Sequence, residues 1–143
     1  MMNVKQVSIF IEHVPGTLHN VVKTLADNDI HIRAFSVVET GGVSVLRLIV
    51  DNVLWTASII KNLGYPATFT EVVVVSIPNS AEEFCHVLEV MKDAGINIEY
   101  SYSVMIKNPS AGFVFEVNDT DKAQKALTEA GITVITHEEL YAL

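Results

Sequence analysis

The residues that could act in catalysis or hold a metal are few in this chain, and their spacing does not match the usual site motifs. Cys85 is the single cysteine, so Cys-x-x-Cys is absent, and no His-Glu-x-x-His occurs among the histidines, which are His13, His19, His31, His86 and His137. The chain also lacks a phosphate-binding Gly-x-x-x-x-Gly-Lys loop and a Gly-x-Ser-x-Gly nucleophile turn. We therefore predict a protein that is not an enzyme, with no catalytic residues, no metal and no cofactor.

Charge and cysteine content narrow the classes of partner. The 17 acidic and 9 basic residues give a formal net charge of −8. Nucleic-acid binding needs a basic surface, so no nucleic-acid partner is expected. One cysteine excludes an intrachain disulfide and fits a reducing compartment. No signal peptide is visible, and the apolar run Val72–Val75 is too short to span a bilayer. We predict a soluble cytoplasmic protein with no membrane partner.

The elements that would position any site come from an internal repeat with a shift of about 66 residues. An apolar helical stripe at i, i+3, i+4 and i+7 occurs in both halves; the pairs are Leu18 and Phe84, Val21 and Val87, Val22 and Leu88, and Leu25 and Met91. A strand with period-two alternation precedes each stripe. The repeat predicts two domains, residues 1–71 and 72–143.

Turn and cap residues divide each half into strand, helix, two strands, helix and strand. In the first half, Asn28-Asp29 ends one helix, Gly41-Gly42 forms a hairpin turn, and Gly64 ends the second helix. The predicted fold class is α+β: two ferredoxin-like βαββαβ modules in tandem, each an antiparallel sheet with helices on one face.

One sheet face of the first half is expected to be apolar. Phe10, Phe35 and Val37 lie in strands, and we expect them to point away from the helices. Such a face predicts contact with another sheet, from the other module or from a second subunit.

The strand–helix junction resembles the ACT domain family. The residues that carry this resemblance are Ile9-Phe10-Ile11-Glu12-His13-Val14-Pro15-Gly16-Thr17-Leu18, followed after a helix by Asp29-Ile30-His31-Ile32, and in the second half the step Gly95-Ile96-Asn97-Ile98. The resemblance covers the chain as two modules, except for roughly residues 137–143. It implies a regulatory, allosteric protein that binds a free amino acid at the junction between ACT modules and associates through its sheets, with a homodimer expected.

The resemblance implies that the first strand–helix loop holds the ligand. Gly16 has no Cβ, so a ligand can approach the backbone closely, and N–H groups at the helix start can hold a carboxylate. Glu12 is placed to face an ammonium, and His13 to offer a polar side chain. Second-strand residues would form the opposing wall. The ligand-binding residues predicted here are Glu12, His13, Val14, Pro15, Gly16, Thr17, Leu18, Ala34, Phe35 and Ser36.

The second copy departs from this pattern, because Ala81-Glu82 replaces Pro15-Gly16. A capping box formed by Ser80 and Glu83 is a structural alternative for the same loop, whereas Asn79 occupies the position of His13. The ligand-binding residues predicted in this copy are Asn79, Ser80, Tyr100 and Tyr102.

Three functions remain open at this point. The first is a stand-alone sensor of a free amino acid, in which the ligand favours one packing of the sheets over another. The second is a regulatory subunit or interaction module of a separate amino-acid biosynthetic enzyme. The third is a small enzyme, which the missing motifs disfavour. The sequence identifies neither the amino acid nor the pathway.

Overall fold

The computed structural model describes residues 3–142, and they form two compact units. The first unit is Lys5–Thr70. Its elements are β1 (Val4–Glu12), α1 (Thr17–Asp27), β2 (Ile32–Thr40), β3 (Val43–Val50), α2 (Val53–Leu63) and the start of β4 (Ala67–Pro78). Strand β3 pairs antiparallel with both β1 and β2.

The second unit consists of Glu71 and the residues that follow it, together with Asn3 and Val4. After β4 its elements are α3 (Ala81–Asp93), β5 (Ile98–Val104), β6 (Ser110–Val117), α4 (Thr120–Glu129), β7 (Thr133–Val134) and α5 (His137–Tyr141). Strand β6 pairs antiparallel with β4 and β5, and β7 pairs with β4. The predicted α+β fold with tandem ferredoxin-like modules is therefore confirmed.

Each unit has its own core between the sheet and two helices, because alternate strand residues and one helical stripe are apolar. The first core contains the predicted stripe residues Val21 and Leu25, packed with strand residues such as Ile9 and Leu48. The second core contains their repeat partners Val87 and Met91. The end of the chain, which the sequence resemblance did not cover, includes α5, and its Leu140 is fully buried.

A β-bulge in β2 changes which side chains face the helices. The register of β2 on β3 shifts between Ile32 and Ala34, and Phe35 then pairs with the core residue Leu48. Val37 likewise pairs with Leu46, also in the core. Directly paired residues share a sheet face. The prediction that Phe35 and Val37 point away from the helices is therefore wrong, because the bulge inserts one residue into the alternation.

The second unit has a bulge at the same position of the repeat, between Ile98 and Tyr100. Tyr100 pairs with Glu116 and Tyr102 with Val114, whereas the core residue Phe115 pairs with Ser101. Both tyrosines consequently lie on the sheet face opposite α3 and α4, where their rings stack with centroids 6.5 Å apart.

Gly112 allows β5 and β6 to approach closely. A β-carbon at this position would lie 2.7 Å from the carbonyl oxygen of Val104 and 2.9 Å from Cγ2 of Ile106. We expect Gly112→Ala to lower the free energy of unfolding by about 1–3 kcal/mol through overpacking, measured by urea denaturation. Ser103→Ala, at an exposed position of β5, should change it by about 0.5 kcal/mol or less. Equal effects of the two substitutions would contradict the close approach.

Within residues 3–142, no helix is both long and apolar enough to cross a membrane.

Candidate ligand-binding site

The loop between β1 and α1 is a tight turn closed by its own backbone. The Val14 N–H donates to the Glu12 carbonyl at 2.9 Å, and the Thr17 N–H reaches the Val14 carbonyl at 3.4 Å. Gly16 then adopts φ 92° in the left-handed region, which residues with a side chain rarely occupy. The glycine predicted from sequence to permit close backbone approach is thus also required by the turn.

Helix α1 begins at this turn without a side-chain cap. Its N-cap residue is Gly16, which has no side chain to accept from the first amides. The first intrahelical bond runs from the Asn20 N–H to the Gly16 carbonyl at 3.0 Å, so the N–H groups of Leu18 and His19 precede the helical ladder. The other helices do have side-chain caps, formed by Asn52, Ser80, Asp119 and Thr136.

A cavity of about 360 Å³ lies at this helix start. This volume is within the range of cavities that bind small molecules. Its walls combine mostly apolar side chains with one carboxylate, one imidazole and one hydroxyl. The lining residues are Ile11, Glu12, His13, Val14, Pro15, Gly16, Leu18, Val37 and Ser44. We call this cavity the loop cavity.

His13 is held at the loop cavity by the hairpin turn before β3 and by β3 itself. Its backbone N–H donates to the Gly42 carbonyl at 3.4 Å, and its Nδ1 lies 2.9 Å from the Ser44 Oγ. Ser44 is only 6% exposed, so its hydroxyl needs this partner. The contact fixes the plane of the imidazole ring, while the direction of the proton depends on the histidine tautomer.

Comparison with protein families decides the identity of the fold. Residues 2–143 match the family described as an ACT domain pair. The chain belongs to this family. No curated protein matches the chain. The resemblance seen in the strand–helix junction is therefore confirmed, and each unit is an ACT module.

Solved structures of other proteins share the ACT fold. The protein BT0572 from Bacteroides thetaiotaomicron is 31% identical, with a TM-score of 0.92 and coverage of 99% of this chain and 98% of that chain. The ligand-free regulatory subunit of aspartate kinase from Thermus thermophilus is 15% identical, with a TM-score of 0.66 and coverage of 90% and 93%. Aspartokinase III of E. coli, in complex with lysine and aspartate, is 17% identical, with a TM-score of 0.54. The match covers 89% of this chain and 30% of the aspartokinase chain. The last two show the fold alone.

The loop cavity contains most of the loop residues predicted in the first ACT module. Glu12 through Gly16 and Leu18 line it, whereas Thr17 is buried and is not among its lining residues. The predicted wall residues lie elsewhere: Ala34 is buried, and Phe35 lines a separate groove between α1 and β2. Ser36 is half-buried in β2 and does not line the loop cavity.

Three lining residues were not predicted: Ile11, Val37 and Ser44. Ile11 could have been included, because it directly precedes Glu12 in a strand already recognised. Val37 was assigned to the wrong face. Ser44 is brought to the loop by the register in which it pairs with Ile11, and a residue pattern alone does not specify register.

In the second ACT module, the corresponding loop forms a capped helix start. The Ser80 Oγ accepts from the Glu83 N–H at 3.1 Å. Ser80 therefore caps α3, as the capping-box alternative predicted for this residue. Asn79 precedes it on an exposed position. The loop cavity contains none of the four residues predicted in this module, which are Asn79, Ser80, Tyr100 and Tyr102.

Proposed function

We propose that this ACT domain pair is a non-catalytic regulatory protein that binds a free amino acid in the loop cavity of its first module. The observation that carries the proposal is the combination of an uncapped helix start and a left-handed Gly16 beside a cavity of about 360 Å³. The ligand-binding residues that we retain are Glu12, His13, Val14, Pro15, Gly16 and Leu18, with Val37 and Ser44 added.

The amino acid's carboxylate would bind at the start of α1. The amides of Leu18 and His19 carry the partial positive charge of a helix N-terminus, which favours an anion there. Gly16 presents no β-carbon, and the position that a β-carbon would occupy has no neighbour within 4 Å. A carboxylate therefore has an open approach to the backbone.

The ammonium and side chain of the ligand would contact the other residues that line the loop cavity. Glu12 supplies the carboxylate that an ammonium needs, and its side chain is exposed at the end of β1. Val14, Val37 and Leu18 provide apolar contact, which favours an aliphatic or aromatic amino acid.

The regulatory step that we propose depends on assembly. Val14 is 55% exposed, so part of the loop cavity wall is available to a facing ACT module, which we expect from a second copy in a cytoplasmic homodimer. Ligand bound in such an interface stabilises the packing that encloses it. Regulatory subunits of aspartate kinase share the fold, and one aspartokinase structure contains lysine and aspartate; both support this proposal.

The first test is a thermal-denaturation screen of the protein against the twenty amino acids. Ligand at about 100 times Kd adds about 2.7 kcal/mol of stability, so we expect a clear rise in Tm with at least one chemical group of amino acids. His13→Ala should reduce the apparent affinity at least about tenfold, an effect of about 1.4 kcal/mol, because it removes the imidazole held by Ser44.

His86→Ala is the matched control, since His86 is an exposed histidine of α3 in the other unit. It should leave the ligand-induced rise in Tm unchanged. If no amino acid raises Tm at millimolar concentration, the amino-acid sensor is wrong. The alternative, an interaction module of a separate amino-acid biosynthetic enzyme, would then be tested by copurification.

A further inference from the structure

A second cavity, of about 450 Å³, lies entirely within the second unit. The connection between β5 and β6 forms one side of it, and strand residues with the start of α5 form the other. Its lining residues are Ser76, Ile106, Lys107, Asn108, Pro109, Ser110, Thr133, Ile135 and Glu139. We call it the hairpin cavity. None of its lining residues belongs to the loop cavity.

Hydrogen bonds and burial hold both sides of the hairpin cavity in place. The Ser110 N–H donates to the Lys107 carbonyl at 3.1 Å and closes the turn. On the other side, the Ile135 N–H donates to the Val74 carbonyl at 2.8 Å. Leu140, fully buried, anchors α5. The cavity is thus largely formed before any ligand enters, which lowers the ordering cost of binding.

Two opposite charges line the hairpin cavity without pairing. Lys107 and Glu139 both line it, yet among residues 3–142 the ion pairs within 4.0 Å include neither of them. The Glu139 Oε1 accepts from the Thr136 N–H at 3.0 Å. This backbone hydrogen bond and the hydrogen bond with the Thr136 side chain lower the pKa of the Glu139 carboxyl from its ordinary value.

Apolar side chains also line the hairpin cavity. Ile135 is buried and Ile106 is half-buried at the cavity wall, and the Pro109 ring adds further apolar surface. Asn108 and Ser110 supply an amide and a hydroxyl beside Lys107. The Glu139 carboxylate would repel a simple anion, and the Lys107 ammonium would repel a simple cation. A molecule that carries both charges and a short aliphatic part would have a favourable contact with each of these groups.

We propose that the hairpin cavity is a second binding site, specific for small zwitterions with an aliphatic side chain. The ligand's carboxylate pairs with Lys107, its ammonium pairs with Glu139, and its side chain contacts Ile106 and Ile135. This site is independent of the loop cavity, because the two cavities share no lining residue and use different groups for the carboxylate.

Residue-resolved amide spectra of the full ¹⁵N-labelled chain test this site. The probe is L-valine, and its two matched controls are 3-methylbutanoate, which lacks the ammonium, and 2-methylpropan-1-amine, which lacks the carboxylate. We expect saturable shifts of the Lys107, Asn108 and Ser110 amides with L-valine, and at least tenfold weaker binding of both controls. The same shifts should persist in Gly16→Ala.

Substitutions on each side of the cavity complete the test. Lys107→Ala and Glu139→Gln should each weaken L-valine binding at these amides at least tenfold, and glutamine retains the cap on α5. Lys125→Ala and Glu138→Gln, at exposed positions of α4 and α5, should leave it unchanged. The site is wrong if L-valine shifts none of the three amides, if 3-methylbutanoate binds equally well, or if Lys107→Ala retains full binding.

Discussion

Replacing Phe115 with alanine is expected to lower the free energy of unfolding by about 3–5 kcal/mol, the usual cost of a large core truncation. Phe115 is fully buried in the second core. Its ring centroid lies 6.4 Å from that of Phe84 and 6.5 Å from that of Phe113, so the substitution removes both a large apolar surface and two aromatic contacts.

Urea denaturation of purified variants measures this effect. Phe69→Ala is the control, because Phe69 is 45% exposed on β4; it should cost about 1 kcal/mol or less. A loss below about 1 kcal/mol for Phe115→Ala would mean that the aromatic cluster is not the centre of this core.

Gly16→Ala is expected to reduce amino-acid affinity at least about tenfold. A β-carbon in the left-handed region costs roughly 1–2 kcal/mol, and relief of that strain rotates the turn that aims the Leu18 and His19 amides. The added methyl group also occupies the open space through which a carboxylate would approach the backbone. The strain lowers the stability of the folded chain with or without ligand, whereas the displaced amides and the added methyl group weaken binding itself.

Gly64→Ala separates the binding effect from the strain. Gly64 ends α2 with φ 85°, and a β-carbon there also has no neighbour within 4 Å. Both variants should lose roughly 1–2 kcal/mol of stability, but only Gly16→Ala should lose affinity in a calorimetric titration. Equal affinities of the two variants would contradict a role for Gly16 in binding.

Periodicity and turn chemistry were sufficient to predict the modules from sequence. The stripe that begins at Leu18 and its repeat at Phe84 are local patterns, and a helix buries such a stripe wherever a sheet is available. The glycines of the hairpin at Gly41 and Gly42 likewise act within a few residues, with φ 59° and 85°. Features of this kind depend on short-range geometry, which neighbouring residues determine.

The bulges were not predictable on the same grounds. Arg33 and Glu99 lie where the register shifts, and neither residue type marks a bulge as glycine would. One extra residue reverses every later side chain of the strand. This is why Phe35 and Val37 were assigned to the wrong face, and why Val37 was missed as a wall of the loop cavity.

The candidate site was predictable only where it lies on one continuous segment. Residues Glu12 to Gly16 come together because they form a single turn. Ser44 reaches His13 across a separation of 31 positions, through the pairing of β1 with β3. Long-range contacts of this kind follow from strand register, which is fixed by the packing of the whole sheet.

A structure of the complex shows directly whether an amino acid binds in the loop cavity. Crystals would be soaked with the amino acid that raises Tm most. We predict a bound amino acid whose carboxylate oxygens lie about 2.7–3.2 Å from the Leu18 and His19 amide nitrogens, with its ammonium toward Glu12. A loop cavity that holds no amino acid after soaking would contradict this binding site.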